Sequence, residues 1–475
     1  MTDPRHYLAL DQGGHASRAL VFSERGEIVA AAKRPLATHR LNDGRVEHDP
    51  EEIIASCRDV LEEVAVAPPV TTAGLATQRS SIVCWDRSSG AALSPVISWQ
   101  DCRNHQWLQG CAGGHTHFIH QHTGLFLSPH YGAGKLRWCW DHLPEVRQAH
   151  TENRLAWGPL ASFILYRLSR EHSHCIDPAN AARTLLWNPR RRDWDAGLLA
   201  LFGLPPQPLP QCVPNRHAFG HLDLNGHPVP ITLLTGDQNA ALFAFGRPRP
   251  ETVYINLGTG AFLQRPMEEW RVVEGLLSGL AYADDGFALY TLEGTVNGAG
   301  SALSWLAGEE GIGDTEATAQ LDAWLAATPA PPLFLNGIGG LGTPFLQPRF
   351  PSRFTAHADR PRRFTALVES IVFLIQANLE AMAKALPNPP RQLVLSGGLS
   401  QSAGLCQRLA DLSGLPLSRA TVAEATAAGL ARLLTTHAGR CRWREMTGDT
   451  FTPNTNAALK QRYKAWSSAM IQSLS

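Results

Sequence analysis

The sequence has 475 residues, of which 42 are lysine or arginine and 42 are aspartate or glutamate. A chain of this length exceeds what one hydrophobic core usually supports, so we expect two or three domains. The balanced charge gives no overall field that would attract nucleic acid or an anionic membrane surface. Composition therefore argues against nucleic-acid and membrane partners and favours a small-molecule partner.

The cysteines and the start of the chain both indicate a cytoplasmic protein. The nine cysteines include no Cys-x-x-Cys pair and stand in apolar or helical text, which is typical of reduced thiols. The sequence enters a predicted strand soon after Met1, without the basic and apolar regions of a secretory signal. We find no uninterrupted run of about 18 apolar residues, so no membrane insertion is predicted. The oligomeric state is left open, with a homo-oligomer as one alternative.

The first predicted element is a three-strand meander from Tyr7, and its first turn carries Asp11-Gln12-Gly13-Gly14. Glycines let backbone amides approach a phosphate closely, and a neighbouring carboxylate can hold Mg²⁺. An ordinary aspartate-containing hairpin turn is the alternative. Proline and two glutamates then open a predicted helix over 50–64.

A second signal lies where the apolar strand Ile231-Thr232-Leu233-Leu234 meets a helical segment, at Asp237. Phosphoryl transfer to an alcohol needs a carboxylate that accepts the hydroxyl proton and orients the hydroxyl. Asp237 suits that role, and an ordinary helix N-cap is the alternative.

The second half of the chain repeats the pattern of the first. Residues 252–264 predict a strand, a Gly258-Thr259-Gly260 turn and another strand, and a third glycine turn, Gly397-Gly398, follows a short apolar strand. A Pro/Gly-rich segment, 246–250, separates the halves. We therefore predict a duplicated α/β protein with an N-terminal lobe (1–246), a C-terminal lobe (247–436) and a C-terminal surface extension (437–475). Phe364 begins the clearest helix of the second half, predicted over 364–386.

Two nucleotide-binding patterns can be excluded. The segment 337–342 matches G-x-G-x-x-G, but Thr343-Pro344 follows where the helix of a dinucleotide site should begin. The sequence contains no G-x-x-x-x-G-K-[ST], so a P-loop ATPase is excluded as well.

An ordered series of motifs resembles the FGGY carbohydrate kinases, and within them the glycerol kinases. The matching segments are ALDQGG (9–14), SRALVF (17–22), GRVEHDPEEI (44–53), ATQR (76–79), ISWQDCR (97–103), TGL (123–125), KLRW (135–138), NAARTLLWN (180–188), GDQNAALF (236–243), GTGAFL (258–263), EGTVNGAG (293–300), GGLGTPF (339–345) and SGG (396–398). The resemblance implies two actin-like, ribonuclease H-like lobes with a cleft between them. It also implies ATP-dependent phosphorylation of a small polyol or sugar, with Mg²⁺.

The resemblance further implies roles for individual residues. Asp237 would be the catalytic proton acceptor, and Asp11 and Asp237 would be the carboxylates associated with the metal. The substrate would be bound by Arg79, Ser80, Trp99, His130, Asp237, Gln238 and Phe262. The nucleotide and its phosphates would be bound by Asp11, Gly13, Gly14, His15, Arg18, Gly258, Thr259, Gly260, Gly300, Gly397, Gly398 and Ser402.

Several positions depart from the pattern of the glycerol kinases. The sequence has 14–16 as Gly-His-Ala where that group has Thr-Thr-Ser, and Ser396 replaces the aspartate of Asp-Gly-Gly. Ser80 replaces a glutamate that grips substrate hydroxyls, and His130 replaces a tyrosine of the glycerol site. Because buried polar groups discriminate strongly between substrates, a ketose (pentulose-type) kinase is one alternative. A nucleotide-binding pseudokinase or regulatory protein is another, although the retained Asp237 argues against it.

Overall fold

The computed structural model describes residues 5–66, 68–328, 330–420, 424–436, 443 and 448–474. The chain divides into two compact units. The first unit comprises 1–248, 279–290 and 423–445, and the second comprises 249–278, 291–422 and 446–475. Each unit contains a large β-sheet and helices that pack on it.

The strands are β1 (His6–Gln12), β2 (Ala16–Ser23), β3 (Ile28–Pro35), β4 (His39–Arg40), β5 (Val46–His48), β6 (Val70–Thr77), β7 (Ile82–Asp86), β8 (Val96–Ile97), β9 (Leu155–Pro159), β10 (Cys175–Ile176), β11 (Trp187–Asn188), β12 (Asp193–Trp194), β13 (Gln211–Cys212), β14 (His221–Leu224), β15 (His227–Gly236), β16 (Thr252–Leu257), β17 (Ala261–Met267), β18 (Leu277–Ala283), β19 (Ala288–Val296), β20 (Phe334–Leu335), β21 (Arg353–Phe354), β22 (Gln392–Ser396), β23 (Leu417–Arg419) and β24 (Thr450–Phe451). The helices are α1 (Pro50–Val64), α2 (His105–Ala112), α3 (Thr116–Thr123), α4 (Gly132–His142), α5 (Pro144–Thr151), α6 (Leu160–Leu168), α7 (Pro178–Ala181), α8 (Ala196–Phe202), α9 (Asp237–Leu242), α10 (Gly300–Glu309), α11 (Asp314–Ala327), α12 (Arg360–Ala385), α13 (Ala403–Ser413), α14 (Ala425–Thr436) and α15 (Ala457–Leu474).

The large sheet of the first unit has the strand order β14-β15-β6-β1-β2-β3. β1, β2 and β3 form the predicted antiparallel meander, and β1, β6 and β15 run parallel to one another. The register pairs Gln12 with Thr77 and Gly236 with Thr77, so the carboxyl ends of these three parallel strands lie side by side. Residues that follow them, including Asp237, therefore gather at one edge of the sheet.

Helix α1 begins and ends where the sequence predicts it. The Asp49 side chain accepts hydrogen bonds from the Glu51 and Glu52 amides, and Pro50 occupies the first turn. The buried face of α1 packs on β2 and β3. Helix α14 lies far along the chain, yet it belongs to the first unit and packs on β1, β6 and α9.

The second unit repeats the pairing of the first. Its large sheet includes the strand order β17-β16-β22-β23-β24. β16 is antiparallel to β17 and parallel to β22, and β22 is parallel to β23. In the first unit, β1 is likewise antiparallel to β2 and parallel to β6, and β6 is parallel to β15. This repetition confirms the predicted duplicated α/β fold.

Helix α12 is the long central helix of the second unit. It begins one turn before the predicted 364–386 because Asp359 accepts a hydrogen bond from the Arg362 amide and Pro361 fits the first turn. By length and composition α12 could cross a bilayer, but 72% of its most apolar stretch is buried within the protein. It is therefore a core helix of its unit.

Helix α15 lies in the segment predicted as a surface extension. It buries Leu459, Trp466 and Met470, and the Trp466 indole donates to the Phe334 carbonyl at 3.1 Å. The rest of the predicted extension lies partly outside the described residues, at 437–442, 444–447 and 475. The division of the chain at 246 and 436 stays a prediction.

Candidate active site

Asp237 is the first residue of α9, directly after β15. Gly236 occupies the N-cap position, so Asp237 is not the N-cap residue of this helix. Its carboxylate accepts a 2.6 Å hydrogen bond from the Gln238 amide and lies 3.9 Å from Arg79 Nε. The hydrogen bond orients the carboxylate. Because 29% of the side chain is exposed, the carboxylate is also accessible.

The charges around Asp237 set its basicity. Burial raises the pKa of the carboxyl group above its ordinary value, while Arg79, the Gln238 amide and Arg183 act in the opposite direction. Arg183 is itself buried. The carboxyl group therefore has a raised pKa, and the neighbouring arginines limit the size of that shift.

Asp11 lies near the end of β1 and is buried. Burial and the neighbouring Asp237 raise the pKa of Asp11 to about 7, although Arg18 opposes the shift. Arg18 Nη1 lies 3.5 Å from the Asp11 carboxylate, and Arg18 Nε lies 3.3 Å from Glu424, just before α14. The structure thus brings Asp11, Arg18 and Asp237 into one electrostatic cluster.

Arg79 organises the start of α9. It donates to the Asn239 side chain at 3.0 Å and also to the Gln238 side chain. The next residue, Ser80, has a φ of 65°, in the left-handed region that residues other than glycine seldom adopt. The edge of the predicted substrate pocket therefore contains a strained residue.

Trp99 and His130 are neighbours on the surface of the first unit. Trp99 is 40% exposed, and the Nδ1 atom of His130 lies 3.0 Å from the Trp99 carbonyl. Partial desolvation lowers the pKa of His130 below its ordinary value. An alanine-like Cβ at Gly14 would lie 3.5 Å from the Trp99 indole nitrogen, so the glycine turn and Trp99 are adjacent.

A buried hydrogen-bond chain connects this turn with Trp99. The Gln12 side chain donates to the Gly13 carbonyl and accepts from Gln78 at 3.3 Å. Ser81 donates to the Gln78 side chain, and the Trp99 amide donates to Ser81, both at 2.9 Å. These hydrogen bonds fix the glycine turn, which is predicted to bind phosphate, relative to the predicted substrate pocket.

His15 is the remaining predicted residue of this turn. Its side chain is exposed, and its carbonyl accepts a hydrogen bond from the Leu36 amide at 2.9 Å. The backbone of the turn is therefore anchored next to β3 while the imidazole faces outwards.

The second unit contains the remaining predicted nucleotide residues. The turn at Gly258 and Thr259 accepts hydrogen bonds from the start of α10: the Gly300 amide reaches the Gly258 carbonyl at 3.0 Å, and the Ser301 amide reaches Thr259 at 3.0 Å. Gly260 ends the same turn before β17. Two of the predicted segments, the Gly258-Thr259-Gly260 turn and Gly300, are thus brought together within this unit.

Gly397 lies against the same region. Its φ is 95°, and a Cβ there would lie 2.4 Å from the Leu257 carbonyl oxygen, so glycine is required. Gly398 opens a short 3₁₀ turn, and Ser402 caps α13 while it donates to Asp322. Phe262, on β17, is 36% exposed.

The carboxylates of the first unit fit a divalent cation better than a dense metal centre. Among the described residues, no group of three or more histidine, cysteine, aspartate and glutamate side chains could hold a metal ion. Mg²⁺ usually takes one or two protein carboxylates and completes its shell with water and phosphate. Burial raises the pKa of Asp11, and the charge of Asp237 adds to that shift, so a cation beside the two carboxylates would offset their repulsion.

Two family descriptions match most of the chain. The N-terminal domain of the FGGY family of carbohydrate kinases matches residues 6–244, and the C-terminal domain of that family matches residues 253–438. The chain belongs to the FGGY family of carbohydrate kinases. A glycerol kinase of Ralstonia nicotianae is 34% identical to this FGGY kinase over 447 residues, 90% of this chain and 89% of the relative. A glycerol kinase of Rhodospirillum rubrum is 35% identical over 445 residues, 91% and 90% of the two chains.

Solved structures show the same fold for this FGGY kinase. A Plasmodium falciparum glycerol kinase, solved with ADP, has a TM-score of 0.90 at 21% identity and covers 99% of this chain and 98% of its own. A xylulose kinase from Rhodospirillum rubrum has a TM-score of 0.87 at 22% identity and covers 99% of each chain. The mixed α/β, actin-like fold is confirmed.

The family membership also confirms the predicted enzyme class. The FGGY kinase is an ATP-dependent kinase that phosphorylates a small polyol or sugar. Several neighbours of the predicted site were missed by the sequence analysis, namely Gln12, Gln78, Lys135, Arg183 and Glu424. Four of the five lie within motifs quoted above, since ALDQGG contains Gln12, ATQR contains Gln78, KLRW contains Lys135 and NAARTLLWN contains Arg183. Only Glu424 lies in none of them.

Proposed function

We propose that this kinase transfers the γ-phosphoryl group of ATP to a primary hydroxyl of glycerol or a related small polyol. The observation that carries the proposal is the accessible Asp237 carboxylate at the carboxyl end of β15, beside Arg79 and Gln238. The glycerol kinases at 34% and 35% identity support a polyol as the acceptor.

The residues of the site suggest a division of labour. Asp237 accepts the proton of the acceptor hydroxyl, and its raised pKa makes it a stronger base than an exposed aspartate. Arg79 and the Gln238 amide orient the carboxylate. The proposed residues that bind the acceptor are still Arg79, Ser80, Trp99, His130, Asp237, Gln238 and Phe262.

The residues present also fit Mg²⁺ and ATP. Asp11, with Asp237 nearby, would hold the cation, and Arg18 would contact phosphate. The turns at Gly13-Gly14, Gly258-Thr259-Gly260 and Gly397-Gly398, together with Gly300 and Ser402, would bind the nucleotide. When bound, ATP supplies the phosphoryl group and Mg²⁺ offsets its negative charge.

Cytoplasmic location is supported by the eight described cysteines, which are free thiols.

A ketose kinase of the pentulose type is the second candidate. The observation that favours it is the pair Ser80 and His130, because a short hydroxyl and an imidazole leave a different set of hydrogen bonds from a glutamate and a tyrosine. Both candidates use the same Asp237 chemistry and differ in the acceptor.

The test is ATP turnover by the purified protein with Mg²⁺ against a panel of glycerol, longer polyols, dihydroxyacetone and pentuloses. Turnover with a polyol supports the first candidate, and a clear preference for a pentulose supports the second. ATP binding without turnover on any acceptor would contradict both and would favour a regulatory protein.

A further inference from the structure

Lys135, on α4, is a buried lysine outside the predicted site. It is 1% exposed. Its ammonium group donates hydrogen bonds to two backbone carbonyls, that of Ser80 at 3.0 Å and that of His130 at 2.6 Å. Lysine is almost never fully buried unless its charge is compensated, so this side chain needs a specific reason to be there.

The two carbonyls belong to the two positions at which the substrate pocket departs from the glycerol kinases. Ser80 has a φ of 65°, and such a strained residue persists only when its surroundings hold it. His130 lies against the Trp99 carbonyl through Nδ1. One ammonium group therefore anchors Ser80 and His130 directly and Trp99 through His130.

Lys135 is itself firmly placed. The first turn of α4 is docked through the Ala133 amide, which donates to the Thr184 carbonyl at 2.7 Å, next to Arg183. The charged and titratable groups that shift the pKa of Lys135 are Asp101, Cys102 and Arg103, which lie before α2. Lys135 in turn lowers the pKa of His130, which lies before α4. Burial lowers the pKa of Lys135 to about 7; Asp101 and Cys102 oppose this shift, and Arg103 adds to it.

We propose that Lys135 is a positioning residue that shapes the pocket for the acceptor alcohol, and that its protonation state tunes the affinity of the kinase for that alcohol. The inference rests on the proposed function. In the protonated state the ammonium makes charge-assisted bonds, which are stronger than those of a neutral amine. As the pH rises through about 7, Lys135 loses its proton and its hold on both carbonyls weakens. Burial lowers the pKa of His130, which moves its titration away from this range.

The experiment compares the wild type with Lys135→Met and Lys135→Gln, using the best acceptor of the panel at saturating ATP and Mg²⁺ between pH 6.5 and 8.5. Lys135→Met removes both hydrogen bonds, so the acceptor KM should rise by about tenfold or more while the ATP KM stays within about twofold. The wild-type acceptor KM should rise by about threefold or more with pH. Lys135→Gln keeps an uncharged donor, so its KM should be intermediate and should rise less with pH than that of the wild type. Asp11, whose pKa is also raised to about 7, is present in both proteins, so the difference between the two pH profiles isolates Lys135.

Amide hydrogen exchange provides a readout that needs no turnover. Segments 78–84 and 128–133 should exchange faster in Lys135→Met than in the wild type, with Lys135→Gln between them. Lys384→Met, at an exposed lysine near the end of α12, is the matched control and should leave KM and exchange unchanged.

Three results would overturn the inference. The first is that Lys135→Met has the acceptor KM and the exchange rates of the wild type. The second is that its ATP KM rises as much as its acceptor KM. The third is that the acceptor KM of Lys135→Gln depends on pH as that of the wild type does. If Lys135→Met does not fold, the Lys135→Gln profile and exchange rates decide. If the wild type phosphorylates no acceptor, the proposed function and the affinity claim both fail, and exchange alone decides whether Lys135 holds the two segments.

Discussion

Asp237 differs from Asp11 in solvent exposure, which a proton acceptor needs so that the acceptor hydroxyl can reach it. Both carboxyl groups have raised pKa values because of burial, but Asp11 is buried whereas the Asp237 side chain is 29% exposed. An acceptor hydroxyl can reach a partly exposed carboxylate without moving the backbone. The two aspartates are therefore suited to different tasks, Asp11 to charge and Asp237 to proton transfer.

Replacing Asp237 with asparagine should separate chemistry from binding. Asp237→Asn keeps the size and the contact with Arg79 but removes the base, so turnover should fall by about 10²–10⁴-fold. The Kd of ATP, measured by calorimetry, should change little. Asp223→Asn, which alters an exposed ion pair on β14, is the control and should retain turnover. Near-normal turnover of Asp237→Asn would remove this residue from the mechanism.

The specificity of the pocket should depend on Ser80 and His130. A carboxylate that binds a substrate hydroxyl contributes roughly 1.5–3 kcal/mol, so its absence should weaken glycerol by about tenfold to a hundredfold. The double change Ser80→Glu with His130→Tyr should raise kcat/KM for glycerol relative to the best acceptor of the panel. The two single changes show how much each position contributes. If the ratio does not rise, these residues do not determine the acceptor.

The sequence predicts some residues of the site better than others. Asp11, Arg18 and Asp237 stand at the ends of strands within recognisable motifs, and the structure brings them together in one unit. Glu424 lies in none of the quoted motifs, and Lys135 lies in KLRW without a feature that marks its role, because the contacts of both residues depend on how distant segments pack. Buried polar partners of this kind follow from tertiary structure rather than from a motif.

The helices show the same contrast at the next scale. α1 could be predicted to the residue because Asp49, Pro50 and the apolar spacing all lie within it or next to it. The apolar stretch predicts a start for α12 that is one turn too late, because the capping residue Asp359 precedes that stretch by one turn. The burial of one face of α15 could not be predicted, since it depends on α12 and β20.

α15 is fastened to the second unit by a buried carboxylate on α12. Glu369 is 3% exposed and accepts hydrogen bonds from Arg462 of α15. Arg408 Nε, on α13, lies 3.6 Å from the other carboxylate oxygen. Burial raises the pKa of Glu369, and the two arginines oppose that shift.

Removing Arg462 should destabilise the second unit. Arg462→Ala leaves Glu369 buried beside Arg408 alone, and the free energy of unfolding in urea should fall by roughly 2–4 kcal/mol. Burial raises the pKa of Glu369 above 4.5 although Arg462 opposes the shift, so the folded pKa should rise further when Arg462 is removed. Glu369 then loses more stabilisation in the variant than in the wild type as the pH rises through these folded pKa values, and the deficit should be larger at pH 8 than at pH 5. Lys464→Ala, at an exposed lysine of the same helix, is the control and should have little effect. The double variant Arg462→Ala with Glu369→Gln should recover part of the stability that Arg462→Ala loses. A deficit independent of pH would argue against this account.

At the scale of the whole molecule, the chain returns to its first unit after building most of the second. α14 packs on β1 and β6, which carry Asp11 and Arg79 at or just after their ends, and on α9, which begins with Asp237. Glu424, at the start of this segment, pairs with Arg18. The site of the first unit therefore depends on residues that are about 190 positions away from Asp237 in sequence.

The contact between α14 and α9 is close enough to test this dependence. A Cβ at Gly429 would lie 1.8 Å from the Ala240 carbonyl oxygen, so Gly429→Ala must move α9 or α14. We expect a loss of about 1–3 kcal/mol in stability and a fall in kcat of about tenfold or more, because α9 positions Asp237. Gly308→Ala is the matched control: this glycine also lies in a helix, a Cβ there would meet nothing within 4 Å, and the change should leave kcat unaltered. The expected stability change of the control is a gain of about 0.5–1 kcal/mol, since alanine favours a helix more than glycine does. If Gly429→Ala lowered stability but left kcat and both KM values at wild-type levels, the position of α9 would not depend on α14.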